Sequence, residues 1–125
     1  MCSSTARAEC VLPLAETSAA QARRFLRQTG CAEHAKHVLE DAVLLVSELV
    51  TNSVRYGGPP VVVAVDCEET ALTVRVRDGN PVLPEIQSVP SSAERGRGLT
   101  LLDIVSADWG VERDVDGKQV WFVLR

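Results

Sequence analysis

Glu48 and Asn52 stand four residues apart within Ser47-Glu48-Leu49-Val50-Thr51-Asn52-Ser53-Val54, a stretch whose other members are mostly apolar or small. A spacing of four puts two side chains one turn above each other on a helix. The pair therefore offers a carboxylate that can act as a base and an amide oxygen that can hold a hard cation. Asp78-Gly79-Asn80-Pro81 follows an alternating segment and supplies a second carboxylate where a strand should end. Gly96-Arg97-Gly98, with Leu99 after it, opens a short apolar segment. At a helix N-terminus, free N–H groups and the helix dipole favour an anion such as phosphate. Residues 80–95, broken by Pro81, Pro84 and Pro90, join the second feature to the third, and irregular loops of that length are often lids or binding loops. Together these features could supply a metal-binding oxygen, a base, a purine-reading carboxylate, a phosphate cradle and a cover.

Each feature also has a plain structural role. Glu48 can pair with Arg55 across two turns, Asn52 can be a satisfied core amide, Asp78-Gly79 an ordinary turn and Gly96 to Gly98 a helix start. Their joint occurrence, in this order, is harder to explain that way. Other nucleotide and hydrolase patterns are absent: there is no G-x-x-x-x-G-K-[ST], no dinucleotide fingerprint, no G-x-S-x-G and no H-E-x-x-H. Cys31, His34 and His37 follow at three-residue steps. That spacing drifts around a helix and brings no evident fourth ligand, so it reads as a polar helix start.

The elements that must position these residues follow from periodicity. Glu9 to Leu14 reads as a short strand closed by Pro13. A helix follows from a Thr17 or Ser18 cap to about Gln28, with Gly30 as its stop, Ala22, Phe25 and Leu26 inward and Arg23, Arg24 and Arg27 outward. A longer helix is predicted from Ala35 to Tyr56, because Leu39, Ala42, Val43, Val46, Leu49, Val50 and Val54 recur at three- and four-residue steps. Gly57-Gly58-Pro59-Pro60 ends it. Strands are predicted at Val61 to Cys67 and Leu72 to Arg77. After the irregular loop come a short helix containing Leu99, Leu101, Leu102, Ile104 and Val105, then strands from Trp109 to Val115 and from Gln119 to Leu124 around an Asp116-Gly117 turn. The order β-α-α-β-β-loop-α-β-β describes an α/β two-layer sandwich, one largely antiparallel sheet covered on one face by helices.

Composition bounds the rest. The 125 residues, 46% of them hydrophobic, suit a single domain over 1–125 with residues 1–8 disordered. The formal net charge of −4 is a poor start for a nucleic-acid binder. No apolar run approaches the ~18 residues of a membrane span, and no signal-peptide core is present, so a cytoplasmic protein with no membrane or nucleic-acid partner is expected. Cys2, Cys10, Cys31 and Cys67 form no C-x-x-C pair. Arithmetic allows two disulfides, and nothing extracellular in the sequence supports them.

Glu48-Leu49-Val50-Thr51-Asn52-Ser53-Val54-Arg55-Tyr56-Gly57 resembles the N box of the GHKL (histidine kinase-like) ATPases, with Asp78 at the place of the G1 box and Gly96-Arg97-Gly98-Leu99 at that of the G2 box. Trp109-Gly110-Val111 and Gly117-Lys118-Gln119-Val120-Trp121 are similar to segments of small, stand-alone actinobacterial proteins related to anti-sigma-factor serine/threonine kinases. The resemblance runs from about Leu12 to Leu124. It implies a Bergerat-type ATP-binding fold with ATP and Mg2+ as ligands. It also implies a sigma factor and an anti-sigma-factor antagonist as protein partners, transfer of phosphate to the antagonist, and leaves a homodimer open. Residue by residue, Asn52 matches the magnesium-holding asparagine, Glu48 the general base, and Asp78, followed by Gly79, the adenine-reading aspartate. Gly96 and Gly98 match the phosphate-approaching glycines, with Arg97 and Leu99 beside them. The fuller D-x-G-x-G pattern is not present, since Asn80 and Pro81 follow Gly79. The alternative that the residues keep open is a nucleotide-gated binding module without phosphoryl transfer.

Overall fold

Burial of every second side chain builds the sheet. In the computed structural model, which describes residues 5–29, 35–68, 71–82 and 101–125, five strands form it: β1 (Thr5–Leu12), β2 (Val61–Glu68), β3 (Ala71–Asp78), β4 (Asp108–Asp114) and β5 (Gly117–Leu124). Their order is β1-β2-β3-β5-β4, and every neighbouring pair is antiparallel. The inner rows are Val61, Val63, Val65 and Cys67 on β2, Leu72, Val74 and Val76 on β3, and Val120, Phe122 and Leu124 on β5, all buried.

Helices α1 (Ser18–Gln28) and α2 (Leu39–Tyr56) cover that face. Ala42, Val43, Leu45, Val46, Leu49 and Val50 form the buried stripe of α2. Glu40 and Asp41 in its first turn and Arg55 in its last complement the helix dipole. From α1, Ala22 and Leu26 complete the core, and Leu102 reaches it from helical residues 101–105. The two helices are tied by Arg23 Nη1 donating to Ser47 Oγ at 2.8 Å, and by an exposed Arg27–Glu40 pair at 2.7 and 3.0 Å. The Arg27 hydrogen bond holds the Glu40 carboxyl below its ordinary range. On the outer face of the sheet Arg77 grips both oxygens of Asp114 at 2.9 Å, with the same effect on that carboxyl.

The two-layer α/β sandwich is as expected, and several boundaries differ. β1 begins at Thr5 rather than Glu9 and stops before Pro13, because Thr5 to Leu12 pairs residue for residue with Glu68 to Val61; residues 5–8 are therefore strand, not disordered. Ala35 to Val38 is not part of the long helix: Lys36–Val38 is a 3-10 turn, and Val38, at φ −117° and ψ 4°, leaves the α region before α2 starts. α1 ends by Thr29 turning extended, while the expected stop at Gly30 lies outside the described residues. Arg23 lies against α2 instead of facing outward, and Ile104, an apolar member of the short helix, is 74% exposed. The β4–β5 turn is Val115-Asp116, with Asp114 opposite Gly117, so Val115 leaves the strand and Gly117 joins the next one. There Asp116 N donates to Asp114 Oδ1 at 2.9 Å, an Asx-type turn. Cys67 is buried and disulfide-bonded, whereas Cys10 is a free thiol; a disulfide had no support in the sequence.

Candidate functional site: a buried carboxylate at the end of the third strand

The period of two that buries Leu72, Val74 and Val76 also puts Asp78 on the inner face of β3. The result is a carboxylate only 3% exposed at the end of an apolar row. Such a group needs donors on every side. Ser53 Oγ, from the buried stripe of α2, donates to Oδ2 at 3.0 Å. Lys118 Nζ and the Asn80 backbone N–H both donate to Oδ1, each at 2.9 Å. Lys118 arrives by the same alternation, on the inner row of β5 ahead of Val120 and Phe122 and directly opposite Asp78 in register.

The turn after Asp78 is fastened to the end of α2. Asn80 Nδ2 donates to the Tyr56 carbonyl at 2.9 Å, its Oδ1 accepts from Val82 N at 3.0 Å, and Gly79 N donates to the Gly58 carbonyl at 2.6 Å. Lys118 Nζ also donates to the Asn80 carbonyl at 3.1 Å. Two glycines permit this closeness. A Cβ on Gly57 would sit 2.6 Å from Asp78 Cγ and Oδ2, and one on Gly79 would collide with the Pro59 carbonyl oxygen.

Glu48 and Asn52 lie half-buried one turn apart on α2, as their spacing requires, and Asn52 precedes the Ser53 that bonds Asp78. The structure thus joins Asp78 and Gly79 to the helix that carries Asn52 and Glu48. Gly96, Arg97, Gly98 and Leu99 lie outside the described residues, as do Cys31, His34 and residues 83–95 of the expected cover. His37 is exposed, and among the described residues no group of three His, Cys, Asp or Glu side chains could hold a metal. No helix among them is long and apolar enough to cross a membrane.

Sequence reasoning did not place Ser53 or Lys118 in the site. Each carries a signal: a hydroxyl on an otherwise apolar helical stripe, and a lysine on the inward phase of a strand that continues with Val120, Phe122 and Leu124. Both mark places where a buried polar partner must exist.

A buried carboxylate at a strand end, held against a helix bearing an amide and a second carboxylate, is an arrangement able to read a base at one end and to handle phosphates along the helix. No curated protein is similar enough to match the chain. The family described as histidine kinase-like ATPase domain matches residues 12–124, a span holding β2 to β5, the last residue of β1, both helices and Asp78. The chain belongs to the histidine kinase-like ATPase domain family, GHKL-type, and by that membership binds ATP.

Proposed function

We propose that this protein is an ATP-binding regulator of the anti-sigma-factor serine/threonine kinase kind, which binds a sigma factor and transfers phosphate to a hydroxyl of an antagonist protein. The supporting observation is the order of polar residues along α2. Ser53 anchors Asp78 at the base end. Asn52 is its neighbour, and Glu48 lies four residues earlier, about 6 Å further along the axis. Base, phosphates and attacking hydroxyl of a bound ATP would follow the same sequence.

In this reading Asp78 accepts from the adenine amino group. Asn52 would hold Mg2+ through its amide oxygen, and the cation would supply charge neutralisation at the phosphates. Glu48 takes the proton from the attacking hydroxyl as the new O–P bond forms and ADP leaves; positioning and charge neutralisation do most of the remaining work. Gly96, Arg97 and Gly98 would approach the phosphates. Cytoplasmic location accords with such partners.

Two substitutions test it. Asn52→Ala should remove the magnesium dependence of ATP binding in calorimetry. Glu48→Gln should leave that binding nearly intact and slow phosphate transfer to the antagonist by ~10²–10⁴-fold, the usual worth of a general base. Loss of ATP binding in Glu48→Gln, together with no transfer by the wild type, would reject the kinase role. One feature favours the second reading, a nucleotide-gated binding module without transfer. Where the G1 pattern has further glycines, Asn80 is bonded through its side chain to Tyr56 and Val82, so the backbone after Asp78 is fixed.

A further inference from the structure

Asp78 and Lys118 leave unused hydrogen-bonding capacity side by side. A carboxylate has about four acceptor positions and an ammonium three donor hydrogens. Lys118 and Asn80 N occupy Oδ1, and Ser53 occupies one position on Oδ2. Lys118 spends two hydrogens, on Asp78 Oδ1 and on the Asn80 carbonyl. Among the described residues, one acceptor position on Asp78 and one donor hydrogen on Lys118 therefore remain. The two side chains are 3% and 10% exposed. A buried ion pair stabilises a fold no better than apolar side chains of equal volume, so structural support alone gives little reason for a charged pair here. It does fix a donor beside an acceptor.

The Watson–Crick edge of adenine shows the complementary pair, the N6 amino donor next to the N1 acceptor. We propose that Lys118 is a specificity-determining residue that donates to adenine N1 while Asp78 accepts from N6. The proposal rests on the ATP-binding reading of this site. In the same pose guanine would set its O6 acceptor against the carboxylate and its N1–H donor against the ammonium, so the pair rejects guanine at two atoms rather than one.

The test compares ATP with 1-deazaadenosine triphosphate, which keeps the amino group and replaces N1 by C–H, in calorimetric titration of the full chain. Wild type should bind the analogue ~10-fold or more weakly, the worth of a hydrogen bond to a charged group. Lys118→Met should bind ATP as weakly as wild type binds the analogue and should no longer distinguish the two nucleotides. Equal affinities in wild type would overturn the proposal while leaving ATP binding intact. So would a Lys118→Met protein that still discriminates, since another donor would then serve N1. No binding of ATP by wild type would overturn the nucleotide reading and this inference together. The wild-type comparison needs no variant, so it decides the question even if Lys118→Met fails to fold.

Discussion

Replacing Asp78 with asparagine keeps the volume of the side chain and removes its charge. The bonds around it set the consequence. An amide oxygen in place of Oδ1 can still accept from Lys118 and from Asn80 N, both at 2.9 Å in the wild type. An amide nitrogen in place of Oδ2 becomes a donor, and the Ser53 hydroxyl at 3.0 Å can rotate to accept from it. Geometry is thus largely preserved. What disappears is the negative charge facing Lys118, whose side chain is only 10% exposed. Stranding one member of a buried pair costs about 3–5 kcal/mol, a large share of the ~5–15 kcal/mol that holds a domain together. For a chain of this size the midpoint should fall by ~12–20 °C, at roughly 4 °C per kcal/mol. Thermal unfolding followed by circular dichroism would measure the midpoint, and urea unfolding the free energy, in Asp78→Asn, Lys118→Met and the double variant. Because Lys118→Met removes the stranded ammonium, the double variant should be less destabilised than the sum of the singles by at least ~1 kcal/mol. An Asp78→Asn protein within ~1 kcal/mol of wild type, or strictly additive substitutions, would refute the ion-pair argument. ATP affinity gives a separate readout and should fall ~10-fold or more, since a charged hydrogen bond to the base is lost.

Gly57→Ala should destabilise the fold by ~1–3 kcal/mol, because the new methyl meets Asp78 at 2.6 Å and the Ser53 carbonyl at 2.7 Å; a thermal midpoint unchanged from wild type would contradict that contact. Glu40 and Asp114 are held below the ordinary carboxylate range by Arg27 and Arg77. Their stabilisation is present above ~pH 4 and is lost as pH falls toward the lowered folded values. Glu40→Gln with Asp114→Asn should therefore flatten the acid limb of the midpoint-versus-pH curve and leave the neutral-pH midpoint nearly unchanged, since exposed pairs contribute little. An acid limb of unaltered steepness would show that these carboxyls carry no linkage.

Local periodicity carried what could be read from the sequence. The buried stripe of α2 and the inner row of β3 depend only on residues three, four or two positions apart, and they are where the spacing puts them. The same alternation brought Asp78 to the end of β3. What could not be read depends on partners far along the chain. The first half of β1, Thr5 to Ala8, carries Arg7 and looks unlike a strand until β2 supplies the facing backbone. The place of the β4–β5 turn is fixed by a register that sets Lys118 against Asp78, forty residues away. Ile104 is apolar and exposed, and no described contact accounts for its position.

The same dependence on register bears on how a base would be read. Asp78, Lys118 and Ser53 come from two neighbouring strands and a helix packed on them, and each lies on the inner phase of its element next to fully buried side chains. A site built on strands and helices keeps its geometry better than one built on loops. The carboxylate would therefore meet its ligand already oriented, and little of the binding energy would go into ordering it. Asn52 and Glu48 share that rigidity, because α2 fixes their spacing from Ser53 at about 1.5 Å per residue. A one-residue slip of β5 against β3 would turn Lys118 to the outer face and leave Asp78 buried without its cation. Base recognition and the packing of the sheet are in this way a single constraint: the register that closes the core around Val76 and Val120 is the one that sets donor beside acceptor at the end of β3.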